Sequence, residues 1–227
     1  MCGFGGKANI FDEEGNCLLN TPDFVKGLDY LKSFYQDKLA PKDSLNWGYT
    51  QTVESLYSGV TAFLWNEPEV VGTMKEHMKV GEWATAPSPK GPKGTFPHWG
   101  YQSYCIAKAS QHKDAAWTFI KWAFSPEPSL FFSKEYSVLP VTKSAQADSF
   151  WKGEDFKAFF DTLNDPDRQL RVPEYHLPEA AEFLEKVSTE EYQKVLLGQE
   201  TSQQAADKWA DYLGKAQKKY LAARKKG

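Results

Sequence analysis

The sequence is poor in sulfur and in histidine. Its 227 residues include only 3 Cys, 3 Met and 4 His, and each scarcity excludes something. No Cys-x-x-Cys pair occurs, which removes the commonest redox and zinc-ribbon motifs. The histidines, His77, His98, His112 and His176, never stand three or four residues apart, so a zinc site would need distant residues to converge. Long apolar runs are also lacking. The longest candidate, 115–124, is interrupted by Lys121 and falls short of the ~20 residues of a membrane span. Positive charge is not in surplus: 27 Lys+Arg against 30 Asp+Glu leave a net charge of −3. That balance argues against nucleic acid as a partner, which needs a basic stripe.

Several catalytic signatures are missing too. No Gly-x-Ser-x-Gly elbow exists, against a hydrolase of that type. The glycines at 3–6 follow no strand, and those at 91–94 enclose Pro92 where backbone donors would be needed, so neither is a phosphate cradle. No pattern asks for a metal or cofactor. The segment 1–6 has no basic start followed by an apolar stretch, so no signal peptide is visible in it.

Aromatic residues are what the chain has in quantity: 15 Phe, 11 Tyr and 8 Trp. Hydrophobic residues make up 41%, too many for a disordered chain. A folded chain of this mass exposes about 10,000 Å² against about 37,000 Å² when extended, so a substantial core is expected.

Periodicity then orders the elements. Residues 7–19 read as a hairpin about a Gly15-containing loop. Thr21-Pro22 is a helix start, followed by Phe24, Leu28, Leu31, Tyr35 and Leu39 on one stripe until Ala40-Pro41. A short helix ends at Gly59. Residues 60–65, 82–86 and 101–108 have the composition of strands, with a helix at 68–78 between the first two. Residues 87–97 hold four Pro and two Gly and form the clearest loop. Helices follow from His112 and from Ser125, the first with Ala115, Ala116, Phe119, Ile120 and Ala123 on its core face. Three more helices cover 154–163, 178–197 and 201–223. Strands alternating with helices predict an α/β fold with mixed sheets covered by helices and a helix-rich C-terminus.

Cys2 and Cys17 bracket the hairpin. They are either a disulfide, worth roughly 3 kcal/mol at that loop length, or two separate buried thiols. Glu67 and the carboxylates Asp161, Asp165 and Asp167 are the only groups that suggest a glycan hydrolase, whose two carboxyls must stand at a defined separation. Trp65, Trp99 and Tyr101 sit at strand ends beside polar or Gly-rich turns. There an aromatic face can stack on a sugar ring while neighbouring polar groups hold its hydroxyls.

Several segments, in order, resemble extracellular solute-binding proteins of the maltose-binding type. They are Ser58-Gly59-Val60-Thr61-Ala62-Phe63-Leu64-Trp65-Asn66, the Pro/Gly stretch from Ala86 to Gly94, Trp99-Gly100-Tyr101, and Ile106-Ala107-Lys108-Ala109-Ser110. Lys113-Asp114-Ala115-Ala116-Trp117-Thr118-Phe119-Ile120-Lys121-Trp122, Arg171-Val172-Pro173-Glu174-Tyr175 and the region from Val195 to Thr201 complete the set. The resemblance implies a non-catalytic, periplasmic or extracellular receptor. It would hand a sugar or polyol to the membrane subunits of an ABC importer, with periplasmic-binding-protein-like lobes closing on the ligand. Carried over by position, the ligand contacts are Trp65, Asn66, Glu67, Trp99, Gly100, Tyr101, Arg171 and Tyr175. Residues 1–98 and 150–227 would belong to the C-terminal lobe, and 99–149 to a returning segment of the N-terminal lobe. The resemblance begins near Gly6, inside the family pattern. That implies a separate or missing first part of the N-terminal lobe, or self-association as an interaction module.

Overall fold

The computed structural model describes residues 1–98, 100 and 103–224. Its longer elements are helices, and each begins or ends where the sequence supplies the chemistry. They are α1 (Pro22–Gln36), α2 (Tyr49–Tyr57), α3 (Val70–His77), α4 (Lys113–Ala123), α5 (Pro126–Glu135), α6 (Glu154–Asn164), α7 (Ser188–Leu196) and α8 (Ser202–Arg224). Pro22 and Pro126 stand at the first turn of α1 and α5, where a missing N–H costs nothing. Gly59, at φ +76°, follows α2, the left-handed position that glycine occupies without a Cβ penalty. Helix α1 stops before the Ala40-Pro41 breaker. Lys38 turns left-handed at φ 59°, and the N–H groups of Leu39 and Ala40 both donate to the Phe34 carbonyl.

The chain divides into two compact units. The first comprises Met1–Gly48, Ser88–Trp99 and Pro166–Gly227, and the second Tyr49–Pro87 and Gly100–Asp165.

The first unit is built on α1, α7 and α8. Its core joins Ile10, Phe11, Leu19, Phe24, Leu28, Leu177, Phe183, Val195, Trp209 and Leu213. The expected hairpin survives as one antiparallel bridge, Phe11 to Cys17. Its turn is closed by the Asn16 N–H and side-chain amide, both donating to the Asp12 carboxylate. Gly15 takes φ +85° in that turn. Helices α7 and α8 are clamped by Lys208, which donates to both Glu191 and Glu200.

The second unit has two smaller cores. Val53, Val70 and Met74 form one, with Leu64 and Trp83 against it. Val71, Trp151 and Phe156 form the other.

The mixed sheets are not found. Among the described residues there are isolated bridges, Phe11–Cys17, Gly91–Gly94 and His98–Arg171, and no ladder. The reason is visible at residues 60–65. A β-prone run becomes a strand only when a neighbour takes its backbone groups, and here the Thr61 N–H donates to Ser55 O at the end of α2. Residues 83–87 and 103–107 are likewise irregular. Tyr101 and Gln102, part of the third expected strand, lie outside the described residues.

The exposed area also departs from expectation. The chain exposes 14950 Å², well above the ~10,000 Å² of an ordinary folded monomer of its mass. Half of the α1 stripe explains part of this: Phe24 and Leu28 are buried, whereas Leu39 is 71% exposed. Phe119, placed on a core face by its spacing, is about half exposed as well.

Candidate functional site

Trp65, Asn66 and Glu67 stand together on the irregular segment between α2 and α3 of the second unit. Leu64 turns inward onto the Val53–Met74 core, and this anchors the run. Trp65, next along, is 68% exposed. The Asn66 Oδ1 accepts the Glu67 N–H at 2.8 Å, which fixes the amide with its NH2 end turned away from its own backbone.

One residue missed by sequence reasoning, Tyr49, belongs to this surface. Tyr49, at the start of α2, donates its hydroxyl to Glu69 Oε1 at 2.9 Å. Burial of the phenol, the Glu69 hydrogen bond and the charges of Glu69 and Glu67 push Tyr49 up to about 12. It therefore stays a neutral donor at any physiological pH. The segment thus offers an exposed indole, an amide and two carboxylates within a few residues, and Tyr49 adds a phenol from α2. That is the mixture of apolar face and hydrogen-bonding edge that a sugar or polyol requires. The pairing of Tyr49 with Glu69 joins residues twenty apart, so no local motif could have flagged it.

Arg171 and Tyr175 lie in the first unit. Arg171 Nη2 donates to Glu174 Oε2 at 2.7 Å, and its Nη1 to the Val172 carbonyl. Glu174 is 5% exposed, and the Arg171 side chain 16%. The guanidinium is thus occupied by a buried partner three residues along. Tyr175 is half exposed. Gly100 is exposed and belongs to the second unit. Trp99 and Tyr101 lie outside the described residues.

Cys2 and Cys17 stand as free thiols in the structure. Both pack against the core of the first unit. Burial raises Cys2 and pushes Cys17 up to about 11. A thiol raised by two units holds about 100-fold less thiolate at pH 8, and the thiolate is the form that alkylates. We expect exposed Cys105 to react first with iodoacetamide and buried Cys17 to lag far behind it. Denatured protein, never exposed to reductant, should titrate three thiols; a single thiol would mean that Cys2 and Cys17 are bridged.

Two of the carboxylates that would suit hydrolysis are held in ion pairs. Asp161 pairs with Lys157 at 2.5 Å, four residues back on α6, and Asp167 with Lys90 at 3.6 Å. Among the described residues no group of three or more His, Cys, Asp or Glu could hold a metal ion. None of the described helices is long and apolar enough to cross a membrane.

Comparison with known proteins supplies the remaining evidence. Residues 4–129 match the family model of bacterial extracellular solute-binding proteins. No curated protein matches the chain. Among solved structures, the sugar-binding protein MalE from the phytopathogen Xanthomonas citri is similar over 96% of this chain and 55% of its own, at 22% identity and TM-score 0.74. The maltose-maltodextrin binding protein of the thermoacidophilic bacterium Alicyclobacillus acidocaldarius is 17% identical over 93% of this chain and 57% of its own, with TM-score 0.74. Maltose-bound MalE3 of T. maritima is 21% identical over 93% and 54%, with TM-score 0.71. The chain therefore has the fold of periplasmic binding proteins, with fewer regular strands than expected, and spans about half the length of these relatives.

Proposed function

Because the chain belongs to the bacterial extracellular solute-binding protein family, a family of non-catalytic receptors, we propose that it binds a sugar or polyol for the membrane subunits of an ABC importer. The observation that carries the choice of ligand is the exposed Trp65, followed directly by Asn66 and Glu67 and flanked by the Tyr49–Glu69 pair. The indole offers a face for the C–H side of a pyranose, and the amide and carboxylates hold hydroxyls. Gly100, Trp99, Tyr101 and Tyr175 are the further proposed contacts. Arg171 joins them only through whatever donors its bond to Glu174 leaves. On this reading residues 1–98 and 150–227 belong to one lobe and 99–149 to the other, and the protein works outside the cytoplasm.

Isothermal titration with maltose, maltotriose, other disaccharides and polyols tests the proposal. Trp65→Ala should weaken the ligand that binds by about tenfold, near 1.4 kcal/mol, and leave the melting temperature unchanged because the side chain is exposed. An unaltered affinity in that variant would move the site elsewhere. The hydrolase alternative is set aside, since the family binds solutes without turning them over.

A further inference from the structure

The stretch of chain that carries Trp65 has charge of one sign only. From Tyr49 to Met74 it holds Glu54, Glu67 and Glu69 and no Lys, Arg or His. Those three cationic types make up about one residue in seven of the whole chain, so a gap of this length stands out. The entire stretch lies in the second unit. The next cation along, Lys75, is engaged by Asp155 at 2.9 Å. Among the described residues neither Glu67 nor Glu69 has a cation within ion-pair distance.

The two carboxylates differ in what holds them. Glu69 is half-buried, and its Oε1 accepts the Tyr49 hydroxyl at 2.9 Å. Glu67 is exposed. Its backbone N–H is taken by Asn66 Oδ1, and no side-chain donor among the described residues reaches its carboxylate. Their fields overlap: after burial, the charges of both Glu69 and Glu67 help to push the Tyr49 phenol up to about 12.

We propose that the solute taken at this surface is an amino sugar, a ring bearing a protonated amine, and that Glu67 is the residue that selects it. This rests on the reading of the Trp65 surface as the solute site. A neutral hydroxyl offers a carboxylate little that water does not, whereas an ammonium group adds a charge-assisted hydrogen bond. Trp65 is 68% exposed, and its indole face attracts a cation as well as the C–H side of a ring. A sugar acid or sugar phosphate would instead meet like charge from Glu67 and Glu69. An aliphatic amine would satisfy Glu67 and leave the indole without a ring to stack on. Exposed ion pairs are individually weak, so selection of about tenfold is expected.

Isothermal titration of the full 227-residue chain at pH 6, where glutamates are ionised and amines protonated, tests this. The probes are matched pairs: glucosamine against glucose, and chitosan disaccharide against cellobiose. In at least one pair the amino sugar should bind about tenfold more tightly, with glucuronate and putrescine weaker than either sugar. Raising salt from 20 to 500 mM should shrink that ratio several-fold. Glu67→Gln, which keeps hydrogen-bonding capacity and loses the charge, should bring the ratio to about one, whatever it does to the neutral sugar. Neutral sugars that bind as tightly as their amino counterparts overturn the proposal and leave the solute reading standing. A preference that survives both salt and Glu67→Gln overturns it too, because the ammonium is then met elsewhere. Absence of heat from every probe overturns the solute reading itself, a result distinct from equal binding within a pair.

Discussion

Replacing Phe156 by alanine is expected to cost about 4 kcal/mol, the largest effect of any single substitution in the second unit. Its side chain is 1% exposed. It lies 4.9 Å from the Trp151 ring and 5.2 Å from the Phe150 ring, with the Lys75 ammonium 5.3 Å from its centroid. Truncating such a ring loses its transfer free energy and leaves a cavity that neighbours fill only in part. The core here is small, with Val71 and Trp151 as its other fully buried members, so little else can compensate. For a domain of about 100 residues, each kcal/mol moves the midpoint by about 4–8 °C, so a fall of roughly 15–30 °C should appear in calorimetry. Phe156→Leu keeps most of the volume and should cost about 1.5 kcal/mol or less. A loss below about 1 kcal/mol for the alanine variant would mean that this core is not formed.

Arg171→Ala should be nearly as damaging, by about 3 kcal/mol, and for an electrostatic reason. Glu174 is 5% exposed and takes the guanidinium at 2.7 Å. Removing one member of a buried pair leaves an uncompensated charge, which is worse than removing both. The double variant Arg171→Ala/Glu174→Leu should therefore recover most of the melting temperature lost by the single one. The pair of variants also separates two roles for Arg171. If it acts by holding Glu174, ligand affinity of the folded double variant stays near that of the wild type. If it reaches the solute, affinity stays low although stability returns.

This residue shows where the sequence was informative and where it was not. An arginine shortly before Pro173 and Tyr175 is chemically suited to a sugar, and that much is legible from residue type. Its occupation by Glu174 depends on burial, which residue type does not encode. The helices were legible because their signals are local: Pro22 and Pro126 start two of them, and Gly59 and Gly198 stand between others. The strands were not. Residues 60–65 are β-prone, but a strand is a property of two segments, and Thr61 bonds to a helix end instead. Phe119 carries the same lesson for helices. Periodicity finds the apolar face, and only packing says whether anything covers it.

The central claim is that the chain captures a small solute through the surface around Trp65. The most direct measurement is isothermal titration of the wild-type chain and Trp65→Ala against a panel of sugars and polyols, with maltose and maltotriose first. The account predicts saturable binding of at least one member at one site per chain, about tenfold weaker in the variant. No heat from any member of the panel, with the wild-type chain folded, would contradict it.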